Sequence, residues 1–153
     1  MIKILIVYHS QGGHTEQMAR AVAKGAGEIE GLEVVLKKAS EAKEEDLIRC
    51  DGLVIGSPEY FGYMSGAVKD LFDRTYEQLR GHKMIFRKPY AVFISAGNDG
   101  KGALSSIEKI GLGFQFKKVQ PAIISKGPLT DEVLAQCEEL GRTMAAGCEA
   151  GIY

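Results

Sequence analysis

The sequence has few cysteines, almost no net charge and no long apolar run. Its three cysteines, Cys50, Cys137 and Cys148, form no CxxC pair and cannot all be paired with one another, which is typical of free thiols in a reducing compartment. The formal net charge of -1 gives no overall field to attract nucleic acid or an anionic membrane. No basic leader follows Met1, and no apolar stretch could span a bilayer. We therefore expect a cytoplasmic protein that binds neither nucleic acid nor membrane.

Several motifs with a defined chemistry are also missing. The dinucleotide fingerprint GxGxxG and the phosphate-binding GxxxxGK[ST] are absent, which argues against a nucleotide triphosphatase. HExxH, GxSxG and clustered Cys/His residues are absent as well. We therefore expect no metal ligand and no catalytic nucleophile.

What is present is a regular alternation of apolar strands and helical segments. With 45% hydrophobic and 25% charged residues, the chain fits one globular domain over residues 1–153. Short apolar segments predict strands at Ile2 to Val7, Leu32 to Leu36, Leu53 to Ile55, Tyr90 to Ile94 and Ala122 to Ile124. Helical spacing predicts helices at Thr15 to Ala26, Ser65 to Leu79, Leu104 to Ile110 and Thr130 to Gly147, and a short charged one in AKEEDLIRC. This order predicts an α/β fold whose parallel sheet carries helices on both faces.

Three loops follow the first, third and fourth predicted strands: HSQGGHT, GSPEYFGYMSG and SAGNDGKG. In an open parallel sheet, ligands bind beyond the carboxyl ends of the strands, where these loops meet. All three loops are rich in glycine, hydroxyl and amide residues. The sequence therefore predicts a ligand site at this edge.

The first loop has the features of a phosphate site. Gly12 and Gly13 allow the backbone to turn several N–H groups towards one point beside a helix N-terminus, and Ser10 and Thr15 add hydroxyl groups. The loop contains no Lys or Arg, so amides, hydroxyls and the helix dipole would hold the anion. A glycine turn with a serine cap and no ligand explains this loop equally well.

The second loop offers flat apolar surfaces. Pro58 stiffens the turn, Tyr60 and Phe61 can face a planar ring, and Gly62 allows such a ring close to the backbone. These aromatic residues are equally typical of a core or of a dimer contact.

The third loop offers polar groups. Gly97 and Gly100 free backbone amides, while Asn98 and Asp99 supply donors and acceptors for the polar edge of a ring. Taken alone, this loop is an ordinary turn.

The stretches YHSQGGHTEQMARAVAKGA and GSPEYFGYMSGAVKDLFDR together resemble the flavodoxin-like FMN proteins. The nearest relatives by this resemblance are the tryptophan-repressor-binding-protein-like NAD(P)H:quinone oxidoreductases and the NAD(P)H-dependent FMN reductases. The resemblance implies a flavodoxin-like three-layer sandwich with a five-stranded parallel sheet of order 2-1-3-4-5. It also implies FMN as cofactor, NAD(P)H as co-substrate and a quinone or similar small molecule as acceptor.

By the same resemblance, the three loops supply the FMN site. The first loop would hold the phosphate, the second would line the isoalloxazine ring, and the third would close its far side. The predicted cofactor-binding residues are Ser10, Gln11, Gly12, Gly13, His14, Thr15, Ser57, Pro58, Glu59, Tyr60, Phe61, Gly62, Ser95, Ala96, Gly97, Asn98, Asp99 and Gly100.

The sequence departs from both groups of relatives. The loop after the fourth strand is reduced to NDGKG, so the tetramer and nicotinamide site of the quinone reductases do not carry over, and a homodimer is left open. Electron-shuttling flavodoxins are usually strongly acidic, whereas this chain is nearly neutral. A flavodoxin-like electron carrier without its own NAD(P)H activity is the alternative, and an FMN-binding interaction module is a third class.

Three charged or titratable features have more than one interpretation. His14 would donate to a phosphate, be an ordinary polar surface residue, or help a quinone take up a proton. Glu59 would tune a flavin by its charge or be a solvated carboxylate. The basic segment Arg80 to Lys88 would attract the 2′-phosphate of NADPH or be an ordinary soluble loop.

Overall fold

Strands and helices alternate along the chain, and the computed structural model describes residues 1–153. The strands are β1 (Ile2–Tyr8), β2 (Leu32–Lys38), β3 (Gly52–Tyr60), β4 (Tyr63–Met64), β5 (Pro89–Ala96), β6 (Lys117–Lys118) and β7 (Ile123–Lys126). The helices are α1 (His14–Ala26), α2 (Glu44–Arg49), α3 (Gly66–Leu79), α4 (Lys101–Phe114) and α5 (Asp131–Ala150). Every predicted strand and helix is present, including the short charged helix α2.

The sheet follows the order β2-β1-β3-β5-β6, with β7 pairing with β5 and β4 pairing with β3. All pairs are parallel except β3 with β4, which is antiparallel. The expected five strands in the order 2-1-3-4-5 are therefore corrected to a 7-stranded sheet. The short strands β4 and β6 have only two residues each, so they carry too little periodicity to be read from the sequence.

Alternate residues of the central strands supply two separate cores. In β1, Leu5 and Val7 join the core beneath α3 and α4, whereas Ile4 and Ile6 join the core beneath α1 and α5. This alternation follows from the two-residue period of a strand. The sheet is therefore covered on both faces, as the predicted three-layer architecture requires.

Helix starts follow the expected capping chemistry. Ser65 Oγ accepts a hydrogen bond from the Val68 N–H at 3.3 Å, and Thr130 Oγ1 accepts one from the Val133 N–H at 3.2 Å. Each bond satisfies a donor that the first turn of a helix leaves unpaired. The predicted starts of α3 and α5 are thus confirmed. No helix combines the length and apolar character needed to cross a membrane.

Strand β3 is longer than predicted. It runs through Ser57, Pro58 and Glu59 to Tyr60, which the sequence indicated as loop because glycine, serine and proline are typical turn residues. Proline is tolerated because Pro58 pairs with Ser95 at the last step of the β3–β5 ladder. The rigid sheet thus carries residues of the second loop directly to its carboxyl edge.

Candidate functional site

A cavity of about 360 Å³ opens at the carboxyl edge of the sheet. It lies where the loops after β1, β3 and β5 converge, as the sequence predicts. The residues lining it are Ser10, Gln11, Gly12, His14, Thr15, Pro58, Glu59, Tyr60, Ser95, Ala96, Gly97 and Gly127. No lysine or arginine is among them, so its polar character comes from loop amides and hydroxyls together with the His14 imidazole and the Glu59 carboxylate.

The first loop presents unbonded backbone donors at the start of α1. Gly13 has φ 99°, a left-handed conformation that favours glycine, and its N–H donates to Ser10 Oγ at 3.2 Å. The N–H groups of Gly12, His14 and Thr15 donate to no oxygen of the protein. Such donors at a helix N-terminus are suited to an anion.

The first loop is joined to the third by a buried hydrogen bond. Thr15 Oγ1 and Ser95 Oγ lie 2.8 Å apart, and both residues are buried. Because Ser95 belongs to β5, this bond fixes the beginning of α1 against the sheet. Thr15 therefore both lines the cavity and positions the loop around it.

Tyr60 forms an aromatic wall between the first two loops. Its hydroxyl donates to Gln11 Oε1 at 3.2 Å, and its ring meets the His9 ring edge-on with centroids 6.1 Å apart. The next residue, Phe61, has a fully exposed side chain and φ 52°. Phe61 and Gly62, which also has positive φ, form the turn between β3 and β4, and neither residue lines the cavity.

Glu59 joins the second loop to the helix after the third. One carboxylate oxygen accepts from the Gly100 N–H at 3.3 Å, and the other accepts from the Ala103 N–H at 3.4 Å. A carboxylate at a helix N-terminus satisfies free donors and interacts favourably with the helix dipole. Glu59 is therefore half-buried and bound to the start of α4 as well as lining the cavity, and its effect on a flavin stays a prediction.

Several predicted cofactor-binding residues lie beside the cavity without lining it. Ser57 is buried, where its Oγ donates to the Pro58 carbonyl at 2.7 Å and accepts from the Ser65 N–H at 2.9 Å. Asn98 and Asp99 are exposed, and Asp99 Oδ1 accepts from the Lys101 N–H at 3.0 Å. The residues outside the lining are Gly13, Ser57, Phe61, Gly62, Asn98, Asp99 and Gly100. The other predicted residues are brought together around one space, and cofactor contact stays a prediction for the whole set.

The sequence prediction missed one lining residue. Gly127 follows β7, and its N–H donates to the Ala96 carbonyl at 2.8 Å. The signal available was its position after the fifth predicted strand, whose carboxyl end must reach the same edge.

The basic segment Arg80 to Lys88 lies at the opposite edge. It precedes Pro89, the first residue of β5, whereas the cavity is at the other end of that strand, about 25 Å away at a rise of about 3.3 Å per residue. Lys88 is 4% exposed and donates to the carbonyls of Leu47, Ile48 and Cys50. The hypothesis that this segment attracts the 2′-phosphate of NADPH is therefore wrong.

Comparisons with known proteins agree with this geometry. The model of the NADPH-dependent FMN reductase family matches residues 2–125. A flavodoxin from Aquifex aeolicus (strain VF5) is 34% identical over an alignment of 161 positions that includes 95% of this chain and 86% of the relative.

Solved structures show the same fold. A flavodoxin from the domain Archaea superposes with a TM-score of 0.83 at 24% identity, over 97% of this chain and 99% of that one. A WrbA-like flavodoxin from Agrobacterium tumefaciens gives a TM-score of 0.81 at 21% identity, over 98% and 99% of the two chains. The resemblance indicated by the first two loops is confirmed, and the fold is the flavodoxin-like α/β fold.

Proposed function

Because the chain belongs to the NADPH-dependent FMN reductase family, we propose that it is an FMN-dependent oxidoreductase that passes electrons from NAD(P)H to a quinone or another small acceptor. The observation that carries the proposal is one cavity lined both by unbonded N–H groups of the first loop and by the aromatic ring of Tyr60. The N–H groups suit a phosphate, and the ring of Tyr60 suits a flat ring system.

The residues of the cavity fit FMN in size and chemistry. A volume of about 360 Å³ is within the usual range of cofactor pockets. The N–H groups of Gly12, His14 and Thr15 would hold the phosphate, with the Thr15 and Ser10 hydroxyls beside them. A Cβ atom built on Gly12 or on Gly97 meets no atom within 4 Å, so both glycines border open space.

Bound FMN supplies the redox chemistry, since it accepts reducing equivalents from a nicotinamide and passes them on. The chain's own residues would bind and orient it. Pro58 and Tyr60 would shield one side of the ring from water, and Ala96 and Gly97 would bound the other. His14 is exposed at the first turn of α1, a position suited to donating towards a phosphate. Because the flavin itself carries the hydride chemistry, we expect no essential acid or base from the protein.

An electron carrier is the second candidate. The relative from Aquifex aeolicus is named a flavodoxin, and the exposed side chains of Phe61 and Tyr63 beside the cavity would suit contact with a partner protein. The nearly neutral net charge of -1 favours the reductase, because shuttling carriers use strong charge to steer association.

Anaerobic reduction separates the two candidates. The protein is loaded with FMN, freed of excess, and mixed with NADPH or NADH while the flavin absorbance is followed, with free FMN at the same concentration as the background. Rapid bleaching well above that background supports the reductase. Bound FMN that only dithionite bleaches would contradict the reductase and favour the carrier.

A pair of variants ties the activity to the cavity. Tyr60→Ala removes the aromatic wall and is expected to slow turnover at least about tenfold, while Tyr60→Phe keeps the ring and most of the rate. Urea unfolding of both variants measures stability in parallel. If Tyr60→Ala destabilises the fold as severely as it slows turnover, the proposed role of this residue is contradicted.

A further inference from the structure

A second cavity, of about 370 Å³, lies between β4 and α4. It is lined by Tyr63, Gly102, Ser105, Ser106, Lys109 and Ile110. The α4 residues among these recur at intervals of three and four positions, so they share one face of that helix. Nothing in the first cavity accounts for this groove between Tyr63 and α4, hereafter the α4 groove.

The α4 groove adjoins the proposed FMN cavity across a single hairpin. Tyr60, which lines the first cavity, pairs with Tyr63, which lines the second. The hairpin packs directly against α4, because a Cβ atom on Gly102 would lie 1.9 Å from the Gly62 carbonyl oxygen. A molecule that starts at the flavin ring can therefore continue over the hairpin into the α4 groove.

The charge of the α4 groove suits a phosphate. Lys109 is exposed and forms no ion pair with a carboxylate within 4.0 Å. The neighbouring Glu108 is paired with Lys118 at 2.8 Å. No acidic residue lines the groove. Another polar cavity beside the first loop contains Lys38 but also the carboxylate of Glu16, which would repel an anion.

The chemistry of the α4 groove also suits an adenosine. Tyr63 is 45% exposed and offers an aromatic face on which a purine can stack. Ser105 is exposed beside it and can donate a hydrogen bond to a phosphate oxygen. An aromatic face, a hydroxyl and an unpaired ammonium thus occur in one groove.

We propose that the α4 groove binds the adenosine 2′-phosphate end of NADPH, with the adenine on Tyr63 and the 2′-phosphate on Lys109 and Ser105. This inference rests on the proposed function, in which NAD(P)H reduces the bound FMN. The protein then prefers NADPH to NADH, because only NADPH carries the phosphate that Lys109 recognises. The basic segment at the opposite edge plays no part in this choice.

The first test measures nucleotide preference in the FMN-loaded protein. Lys109→Gln is expected to raise the NADPH concentration giving half-maximal anaerobic reduction about tenfold, the loss of one charge-assisted contact. The NADH concentration giving half-maximal reduction and the maximal reduction rates with NADPH and with NADH are expected to stay unchanged. Lys83→Gln, which removes an exposed and equally unpaired charge at the opposite edge, is the matched control. Unchanged NADPH dependence in Lys109→Gln, or equal shifts for both nucleotides, would overturn the proposal.

The second test separates the adenine from the phosphate. Tyr63→Ala is expected to weaken NADPH and NADH to the same degree, because both contain adenine, and Tyr63→Phe restores binding of both. If Tyr63→Ala leaves both nucleotides unaffected, the adenine does not lie on Tyr63.

A binding measurement keeps this inference distinct from the proposed function. Titration calorimetry with 2′,5′-ADP, and with 5′-AMP as the control, reports on the α4 groove without any redox step. The wild type is expected to bind 2′,5′-ADP about tenfold more tightly than 5′-AMP, and Lys109→Gln is expected to abolish the difference. If neither NADPH nor NADH reduces the flavin, the proposed function fails and this titration alone decides on the groove. Equal binding of the two nucleotides by the wild type would refute the groove even if the flavin is reduced.

Discussion

Thr15 and Ser95 are 80 positions apart in the chain, yet their hydroxyl oxygens lie 2.8 Å apart in the buried wall of the cavity. Thr15 belongs to the first turn of α1 and Ser95 to the carboxyl end of β5. The pair therefore connects the loop proposed to bind phosphate with the strand that bounds the ring end. Disturbing it is expected to affect both stability and cofactor binding.

Thr15→Val keeps the shape of the side chain and removes its hydroxyl. We expect the free energy of unfolding to fall by about 1 to 2 kcal/mol, because the Ser95 hydroxyl is left buried without its partner. The dissociation constant for FMN, measured by quenching of its fluorescence, is expected to rise about tenfold. The double variant Thr15→Val/Ser95→Ala is expected to lose less stability than the sum of the single variants. Strict additivity would contradict the coupling.

Glu59 couples β3 to α4 through both of its carboxylate oxygens. Glu59→Ala is expected to lower the free energy of unfolding by about 1 kcal/mol, the usual cost of losing a helix cap. Glu59→Gln retains one acceptor oxygen and is expected to lose less. Urea unfolding of the FMN-free protein provides the comparison. Equal losses in the two variants would show that the hydrogen bonds to α4 contribute little.

Phe61 has a left-handed backbone and a fully exposed side chain. This conformation costs a non-glycine residue about 1 to 2 kcal/mol, more than the chain entropy that a glycine adds to the unfolded state. Phe61→Gly is therefore expected to raise the free energy of unfolding by about 0.5 to 1 kcal/mol. Thermal unfolding without FMN measures this gain, and Phe61→Ala, which keeps a Cβ atom, is the control that should show none.

Lys88 holds its ammonium group against the carbonyls that end α2. Burial lowers the pKa of Lys88 from its ordinary value. Lys88→Met keeps the apolar stem but leaves these carbonyls without a donor, so we expect a loss of about 2 to 4 kcal/mol in the free energy of unfolding. Lys83→Met at the exposed turn is expected to change it by less than about 0.5 kcal/mol. A loss of NADPH preference in Lys88→Met without loss of stability would contradict this structural role.

Cys137 is buried, and burial raises the pKa of its thiol from 9.0 to about 12. Above pH 9 the unfolded chain releases this proton while the folded chain keeps it, so the thiol makes stability fall as pH rises from 9 towards 12. The largest slope for one thiol is about 1.4 kcal/mol per pH unit. Urea unfolding at pH 8 and pH 10 measures how much the free energy of unfolding falls between these two pH values. This fall should be smaller for Cys137→Ala than for the wild type. An identical difference in the two proteins would contradict the raised pKa.

The sequence by itself determined the strands and helices with strong periodicity and the loops that share the carboxyl edge. The spacing of apolar residues and the presence of glycine determine backbone conformation over a few neighbouring residues. Strand β1, helix α1 and the turn at Gly12 and Gly13 could therefore be predicted from local sequence. The convergence of the loops after β1, β3 and β5 follows from the parallel topology alone.

Only the tertiary structure decided which of these side chains face the cavity and which are engaged elsewhere. Glu59 finds its partners 41 and 44 positions away, and Lys88 finds its own about 40 positions away. Such contacts depend on strand register and on how each helix packs against the sheet, which no local pattern encodes. The same packing exposes Phe61, brings Gly127 to the cavity and forms the α4 groove from residues that carry no motif.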